Sequence, residues 1–256
     1  MDTSATASRL QDILDIVASV GKEFASEFWW RGQAVSHWKL VPSVYRPTAD
    51  LNYEQNITLR FMQRRPSRYV GCPPRDELPS WLFLMQHYRL PTRLLDWTAS
   101  PLIAAYFAVS EHPSEAGALW ALNPVKLNEK QASSSTVLTP ADMSARRLFY
   151  PPFRAGADDR WYKKSSPGYE ITVAIIPNEV DLRMQVQLAA VTLHGATTPL
   201  EEIAGREEFI LKYEIPANAK AVIKKQLFQL GVRESSIFPD LEHLAREIAS
   251  KTFRGS

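Results

Sequence analysis

The polar side chains able to bind anions or move protons collect in three short stretches, each rich in aromatic residues. The first is Trp29-Trp30-Arg31-Gly32-Gln33. An arginine that follows aromatic residues on a strand has its guanidinium held in place, and can clamp a phosphate or carboxylate through paired hydrogen bonds. Gly32 would let a ligand approach the backbone. The same arginine also suits a structural ion pair with an internal carboxylate. The second stretch runs from Gln86 through His87, Tyr88, Arg93 and Asp96 to Thr98. Arg93 and Asp96, three apart, can pair. Asp96 or Thr98 can cap the helix that follows, and His87 alone fits a hydrogen-bonded core histidine. Burying so many polar groups is costly unless they satisfy one another or a ligand, so the stretch reads as a pocket wall. The third is Ser235-Ser236-Ile237-Phe238-Pro239-Asp240-Leu241. Asp240 falls in the first turn of the last helix, where the helix dipole favours an acid; it is also a candidate ligand.

Two weaker places follow. Gln185, Gln187, Thr192 and His194 alternate around a strand, which aims Thr192 and His194 to one side. Arg60, Arg64, Arg65 and Arg68 form a basic run that fits a solvated face, or contact with nucleic acid or anionic lipid. Other chemistries lack their residues. The ten glycines form no G-x-G-x-x-G fingerprint and no P-loop, and there is no G-x-S-x-G elbow. The histidines at 37, 87, 112, 194 and 243 include no H-x-x-x-H pair. Cys72 is the single cysteine, which excludes an intramolecular disulfide and any multi-Cys zinc site. No metal is expected.

The elements that must position these residues are read from periodicity. Leu10, Ile13, Ile16, Val17, Val20 and Phe24 set a helical stripe over 9–25. A strand is expected at Phe28–Trp30, a second extended segment at 38–45 and a helix over 52–65. Residues 70–79 read as a loop or helix entry. Trp81–Tyr88 and Ala99–Val109 read as helices, with Pro101 acceptable in a first turn. Strands are expected at 117–122, 171–176, 189–193 and 209–215. A helix over 217–230 stops at Gly231. The last helix, from Pro239, carries a stripe of Leu241, Leu244, Ala245 and Ile248. Residues 131–168 read as an irregular insertion, a candidate lid.

These elements never settle into regular βαβ units, so the expectation is α+β: a single domain over 1–256 with a mixed or antiparallel central sheet flanked by helices. The 256 residues carry a net charge of +2, which gives no support to a whole-surface nucleic-acid binder. No apolar run approaches the roughly 20 residues a membrane helix needs. The first eight residues do not resemble a secretory signal. A cytoplasmic protein without a membrane partner is expected.

Taken together, the three stretches resemble the FRG domain family. Its Phe-Arg-Gly motif stands here as Trp30-Arg31-Gly32. Its Q-H-Y-G-x-P-T-R-L-L-D-W-T signature stands as Gln86 to Thr98, with Arg89 in place of Gly. Tyr106-Phe107-Ala108, Arg183-Met184, Gln187, Val191-Thr192 and Ser236-Ile237-Phe238-Pro239-Asp240-Leu241 are similar to its later motifs, and the likeness spans about 24–250. A more distant similarity is to the ADP-ribosyltransferase fold, carried by Arg31-Gly32, Thr98-Ala99-Ser100 and Ala104 to Ala108. That fold's late Glu-x-Glu has no clear counterpart. Gln185-Val186-Gln187 has the spacing without the acids, and Glu214 and Glu234 are other candidates.

The second resemblance implies a split sheet and NAD as a substrate, for an ADP-ribosyl-transferring or NAD-cleaving enzyme. A toxin or anti-phage effector is the implied setting, with a protein or nucleic-acid acceptor and an antitoxin or regulatory partner. Arg31, His87, Thr98 and Asp240 would be catalytic. Gln33, Gln86, Tyr88, Arg93, Asp96, Ser100, Gln187 and Thr192 would bind the substrate. Arg31 would take the diphosphate, and Thr98 or Ser100 the nicotinamide ribose. The alternatives are a non-catalytic nucleotide- or nucleic-acid-binding FRG module, and a hydrolase pairing His87 with Asp96 or Asp240. All three require Arg31 and the stretch from His87 to Thr98 to share one cleft.

Overall fold

The structure, a computed structural model, describes residues 6–23, 27–46, 53–67, 71–149, 170–179 and 181–252. Helix α1 (Leu10–Glu23) forms where the stripe predicts, and buries Leu10, Ile13, Ile16 and Val20. Strand β1 (Trp29–Gln33) extends through the Arg-Gly-Gln motif. Residues 38–45 are not the extended segment expected: they turn, with one 3-10 turn at Ser43–Tyr45 after Pro42. Trp38 is exposed and meets the His112 ring edge-on, and the Tyr45 hydroxyl donates to His194 O at 3.0 Å.

Helices α2 (Tyr53–Arg64) and α3 (Leu78–His87) follow, α3 starting three residues before Trp81 with Pro79 in its first turn. Strand β2 (Leu94–Thr98) was not foreseen, because its Asp96 and Thr98 mask a short apolar run. Then come α4 (Pro101–Ser110), β3 (Gly117–Leu122), α5 (Pro124–Ala132) and α6 (Met143–Phe149). Helix α6 corrects the expected irregularity of 131–168: Ala145, Leu148 and Phe149 are buried in the core. The stretch 150–168 lies outside the described residues, as does Arg68 of the basic run.

The chain continues with β4 (Thr172–Ile175), a one-turn helix α7 (Leu182–Val186), β5 (Ala189–His194) and β6 (Ile210–Ile215). It closes with α8 (Ala217–Gln229), α9 (Glu234–Ile237) and α10 (Leu241–Thr252). Gly231, at φ +84°, follows α8 as expected. The stripe on α10 differs from expectation: Leu241, Leu244 and Ile248 are exposed. Within the basic run Arg60 and Arg64 are exposed, while Arg65 is buried against the Trp81 ring.

The six strands form one antiparallel sheet in the order β4-β5-β2-β1-β3-β6. The fold is therefore α+β. Strand β1 pairs with β3 along its whole length but with β2 only at Trp30 opposite Thr98. Two three-stranded halves thus meet at one pair, and the gap between β1 and β2 is where the site forms. Helix α4 lies directly on β1. A Cβ on Gly32 would stand 1.8 Å from the Ala104 carbonyl oxygen, and one on Gly117 2.6 Å from that of Ala108. The expectation that Gly32 admits a ligand is corrected: it admits a helix.

Candidate functional site

Arg31 sits where β1 and β2 diverge. Opposite Trp120 on β3 but without a partner on β2, it sends its side chain across the gap, and Nη1 donates to the Asp96 carbonyl oxygen at 2.5 Å. Its Nε is buried and has no hydrogen-bond partner among the described residues. Nη2 has none there either and is not buried. Burial pulls the pKa of this guanidinium below its ordinary value, and the Asp96 charge opposes that pull. A desolvated cation with unused donors is an anion-binding element.

The second stretch arranges itself around Asp96. Gln86 Nε2 donates to the Asp96 carboxylate at 3.0 Å, and the Gln86 amide oxygen accepts from the Thr92 hydroxyl. The turn between α3 and β2 explains the unusual Arg89. Leu90 N–H donates to Met85 O at 3.0 Å and Arg89 N–H to Gln86 O at 2.9 Å, which closes α3 with Arg89 at φ +61°. This left-handed helix stop suits glycine. An arginine here carries backbone strain of about 1 kcal/mol.

His87 Nδ1 lies 2.7 Å from Asp181 Oδ2. Burial lowers the histidine pKa against the pull of Asp181, with the nearby Arg183 adding to the lowering. Nδ1 and Oδ2 face each other at this distance without hydrogen-bond geometry. The hydrolase pairing of His87 with Asp96 or Asp240 does not form.

Arg183, on α7, was not foreseen as a site residue. Its guanidinium carbon stands 4.7 Å from the Phe238 ring centroid. Phe238 in turn stacks on His243 at 4.5 Å and meets Phe107 edge-on at 6.0 Å. The charges of Asp96, Asp181 and Asp240 all act on Arg183, though burial sets the net direction of its pKa, downward. The Asp240 carboxylate caps α10: Oδ1 accepts from His243 N–H at 2.9 Å, and Oδ2 lies 2.6 Å from His243 Nδ1. These hydrogen bonds hold its pKa below the usual carboxylate range. Asp240 therefore stands just before the helix rather than inside its first turn.

The remaining candidates point elsewhere. Arg93 does not pair with Asp96: it is buried against Glu54, with Nε at 2.8 Å from Oε2, and its Nη1 donates to Leu148 O. Thr98 Oγ1 donates to Gln187 O at 2.6 Å and accepts from Ser100 N–H, so neither Asp96 nor Thr98 caps α4; Ser100 does, accepting from Ile103 N–H. Gln33 is buried, its amide oxygen accepting from Trp120 Nε1. Gln187 Nε2 donates to Ile237 O, which ties α7 to α9. Tyr88 is exposed at the edge of the cluster and meets the His87 ring edge-on. Glu214, on edge strand β6, faces Ser36, and Glu234 pairs with Arg246.

Thr192 and His194 do share one side of β5, but inside the core. Thr192 Oγ1 accepts from Trp97 Nε1 at 3.1 Å and stands 2.9 Å from His194 Nε2, while Thr172 Oγ1 is 3.4 Å from His194 Nδ1. Each of the two threonine hydroxyls can serve the ring nitrogen it faces as donor or acceptor. Burial, with Arg31 close by, lowers its pKa to about 3.

Arg31 and Gln86 thus meet at Asp96, and His87 faces Asp181, whereas Arg93, Gln33 and Thr192 are absorbed by the core. Arg183 was legible only as part of Arg183-Met184, and Phe238 as part of the late Phe-Pro-Asp motif. Among the described residues no His, Cys, Asp and Glu group could hold a metal ion, and no helix is long and apolar enough to cross a membrane. A family model, that of the FRG domain, matches residues 26–117, from just before β1 to the start of β3. No curated protein and no solved structure matches the chain.

Proposed function

From the premise that residues 26–117 are an FRG domain, we propose that the protein binds NAD at the gap between β1 and β2 and cleaves its nicotinamide–ribose bond. The observation that carries this reading is Arg31, a half-buried guanidinium whose Nε and Nη2 have no partner among the described residues. Those donors suit a phosphate oxygen. The near-split of the sheet at Trp30 and Thr98 supports the same reading.

In this reading Arg31 takes the diphosphate. The C–N bond to nicotinamide breaks, and its electron pair leaves with nicotinamide. The ribose is left as an oxocarbenium ion, which the Asp96 carboxylate faces. An acceptor nucleophile, or water, captures that carbon and loses its proton to His87, which lies beside Asp181. Thr98 and Ser100 fix the corner between β2 and α4 rather than the ribose. Asp240 acts by setting the end of α10 under Phe238. A protein or nucleic-acid acceptor would make the protein a toxin or anti-phage effector.

A second reading, an FRG module that binds a nucleotide without turnover, is favoured by one observation: Gln185 and Gln187 stand where a Glu-x-Glu pair would. Purified protein incubated with NAD separates the two. Nicotinamide release that is lost in Arg31→Ala supports cleavage, and label transferred from NAD identifies the acceptor. No release with protein, DNA or RNA present rejects the enzyme and leaves the binding module.

A further inference from the structure

Helix α2 has two faces of different character. Inward it buries Thr58 and Glu54, and Glu54, the one acid of the helix, is spent on Arg93. Outward it shows Tyr53, Arg60 and Arg64, all exposed. At their spacing these three fall within roughly 40° around the helix axis, in a stripe about 16 Å long. The stripe adjoins the site through aromatic rings. Phe61, next to Arg60, has its ring centroid 6.3 Å from that of Tyr88, and Tyr88 meets the His87 ring edge-on at 4.8 Å. Supported by both rings, Tyr88 is still half exposed. Arg89 follows in the turn, exposed and at φ +61°. Backbone hydrogen bonds close that turn, and glycine would close it without strain. The arginine side chain adds nothing to the turn, and strain of this kind collects where a side chain serves a ligand. Among the described residues no carboxylate pairs with Arg60 or Arg89.

We infer that this surface, from Tyr53 along Arg60 and Arg64 to Tyr88 and Arg89, binds single-stranded nucleic acid. The arginines take backbone phosphates, and an unpaired base lies on the Tyr88 ring. A duplex offers the phosphates but keeps its bases stacked out of reach of that ring. An anionic membrane also offers phosphates, but the exposed aliphatic side chain of α2, Leu59, stands roughly 120° around the helix from the stripe. The basic face therefore carries no exposed aliphatic residue to enter a lipid layer. The binding stands without the NAD reading above; only the strand's role as the acceptor rests on it.

The test is fluorescence anisotropy of the full chain with a labelled single strand of about 12 nucleotides, within the site sizes of single-strand grooves. The strand is supplied as DNA and as RNA, with the duplex of the same sequence and phosphatidylserine vesicles as comparisons. Wild type binds a single strand more tightly than the duplex, and its affinity falls with salt. Arg60→Gln with Arg64→Gln lowers the slope of log affinity against log salt by about 0.7 per arginine removed. Arg89→Gly, which relieves the strained turn and so keeps the fold, lowers the slope in the same way. Tyr88→Leu weakens the strand about tenfold with the slope unchanged, the mark of a lost stacking contact rather than a lost charge. The inference is overturned if wild type binds neither single strand, if the duplex or the vesicles are bound as tightly, or if none of these variants changes strand affinity. Strand binding without nicotinamide release sinks the NAD reading alone; nicotinamide release without strand binding sinks this inference alone.

Discussion

Two arginines mark the two ends of the central strands, and the chain treats them oppositely. Arg93, at the entry of β2, is 5% exposed and fully engaged: Glu54 accepts from its backbone N–H, its Nε and its Nη2, and Leu148 O takes its Nη1. Arg31, on β1, is half-buried, yet among the described residues its one hydrogen bond is to a backbone carbonyl. Both were candidates for ligand binding. The difference teaches that burial of a cation does not distinguish scaffold from site; what distinguishes them is whether the chain itself uses the donors. His194 links the two regions. Its N–H donates to Arg93 O at 3.1 Å, and the charge of Arg31 helps depress its pKa.

The comparison can be broken most directly at Arg93. Glu54→Gln leaves a buried guanidinium uncompensated and should cost about 3–5 kcal/mol in urea unfolding. A loss below about 1 kcal/mol would mean that Arg93 is no more structural than Arg31. Gly32→Ala comes next. A methyl group cannot fit against Ala104 O, so about 3 kcal/mol should be lost as α4 is pushed from β1. Wild-type stability with altered ligand binding would return Gly32 to the site.

His194 sharpens the comparison through pH. The buried ring titrates at about 3, and the unfolded one at about 6.5. Above pH 6.5 both states are neutral and nothing is lost. Below it the unfolded chain takes the proton first, so stability falls with pH until about pH 3. Wild type should lose about 2 kcal/mol between pH 7 and 5 that His194→Gln does not lose. Parallel pH profiles would show that the ring is not buried neutral between the arginines. The smallest effect belongs to Arg31→Met, which should change unfolding free energy by less than about 1 kcal/mol, since one hydrogen bond is lost and one desolvated charge removed. A cost comparable to that of Glu54→Gln would make Arg31 part of the scaffold.

Much of the fold was legible because it is written in local periodicity. The stripe of α1, the apolar run of β3 and Gly231 after α8 are nearest-neighbour statements, and each came out within a few residues. Strand β2 escaped because Gln86 to Thr98 is dense in polar groups whose partners lie far away: Glu54 for Arg93, Gln187 for Thr98. The exposed stripe on α10 shows the converse, a helical period with no core against it. The site was half legible. Arg31 and the His87–Asp96 stretch were marked by residue type, whereas Arg183 lies on, and Asp181 caps, a one-turn helix too short to show a period.

Sequence alone determined that this is an α+β chain and marked Arg31 and the His87–Thr98 stretch as candidate site residues, because residue type sets what a side chain can donate and spacing sets which element carries it. Tertiary structure alone decided which guanidinium is spent and which is free. That depends on whether a carboxylate from a distant element, Glu54 on α2, arrives at hydrogen-bond distance, and no local pattern encodes its arrival.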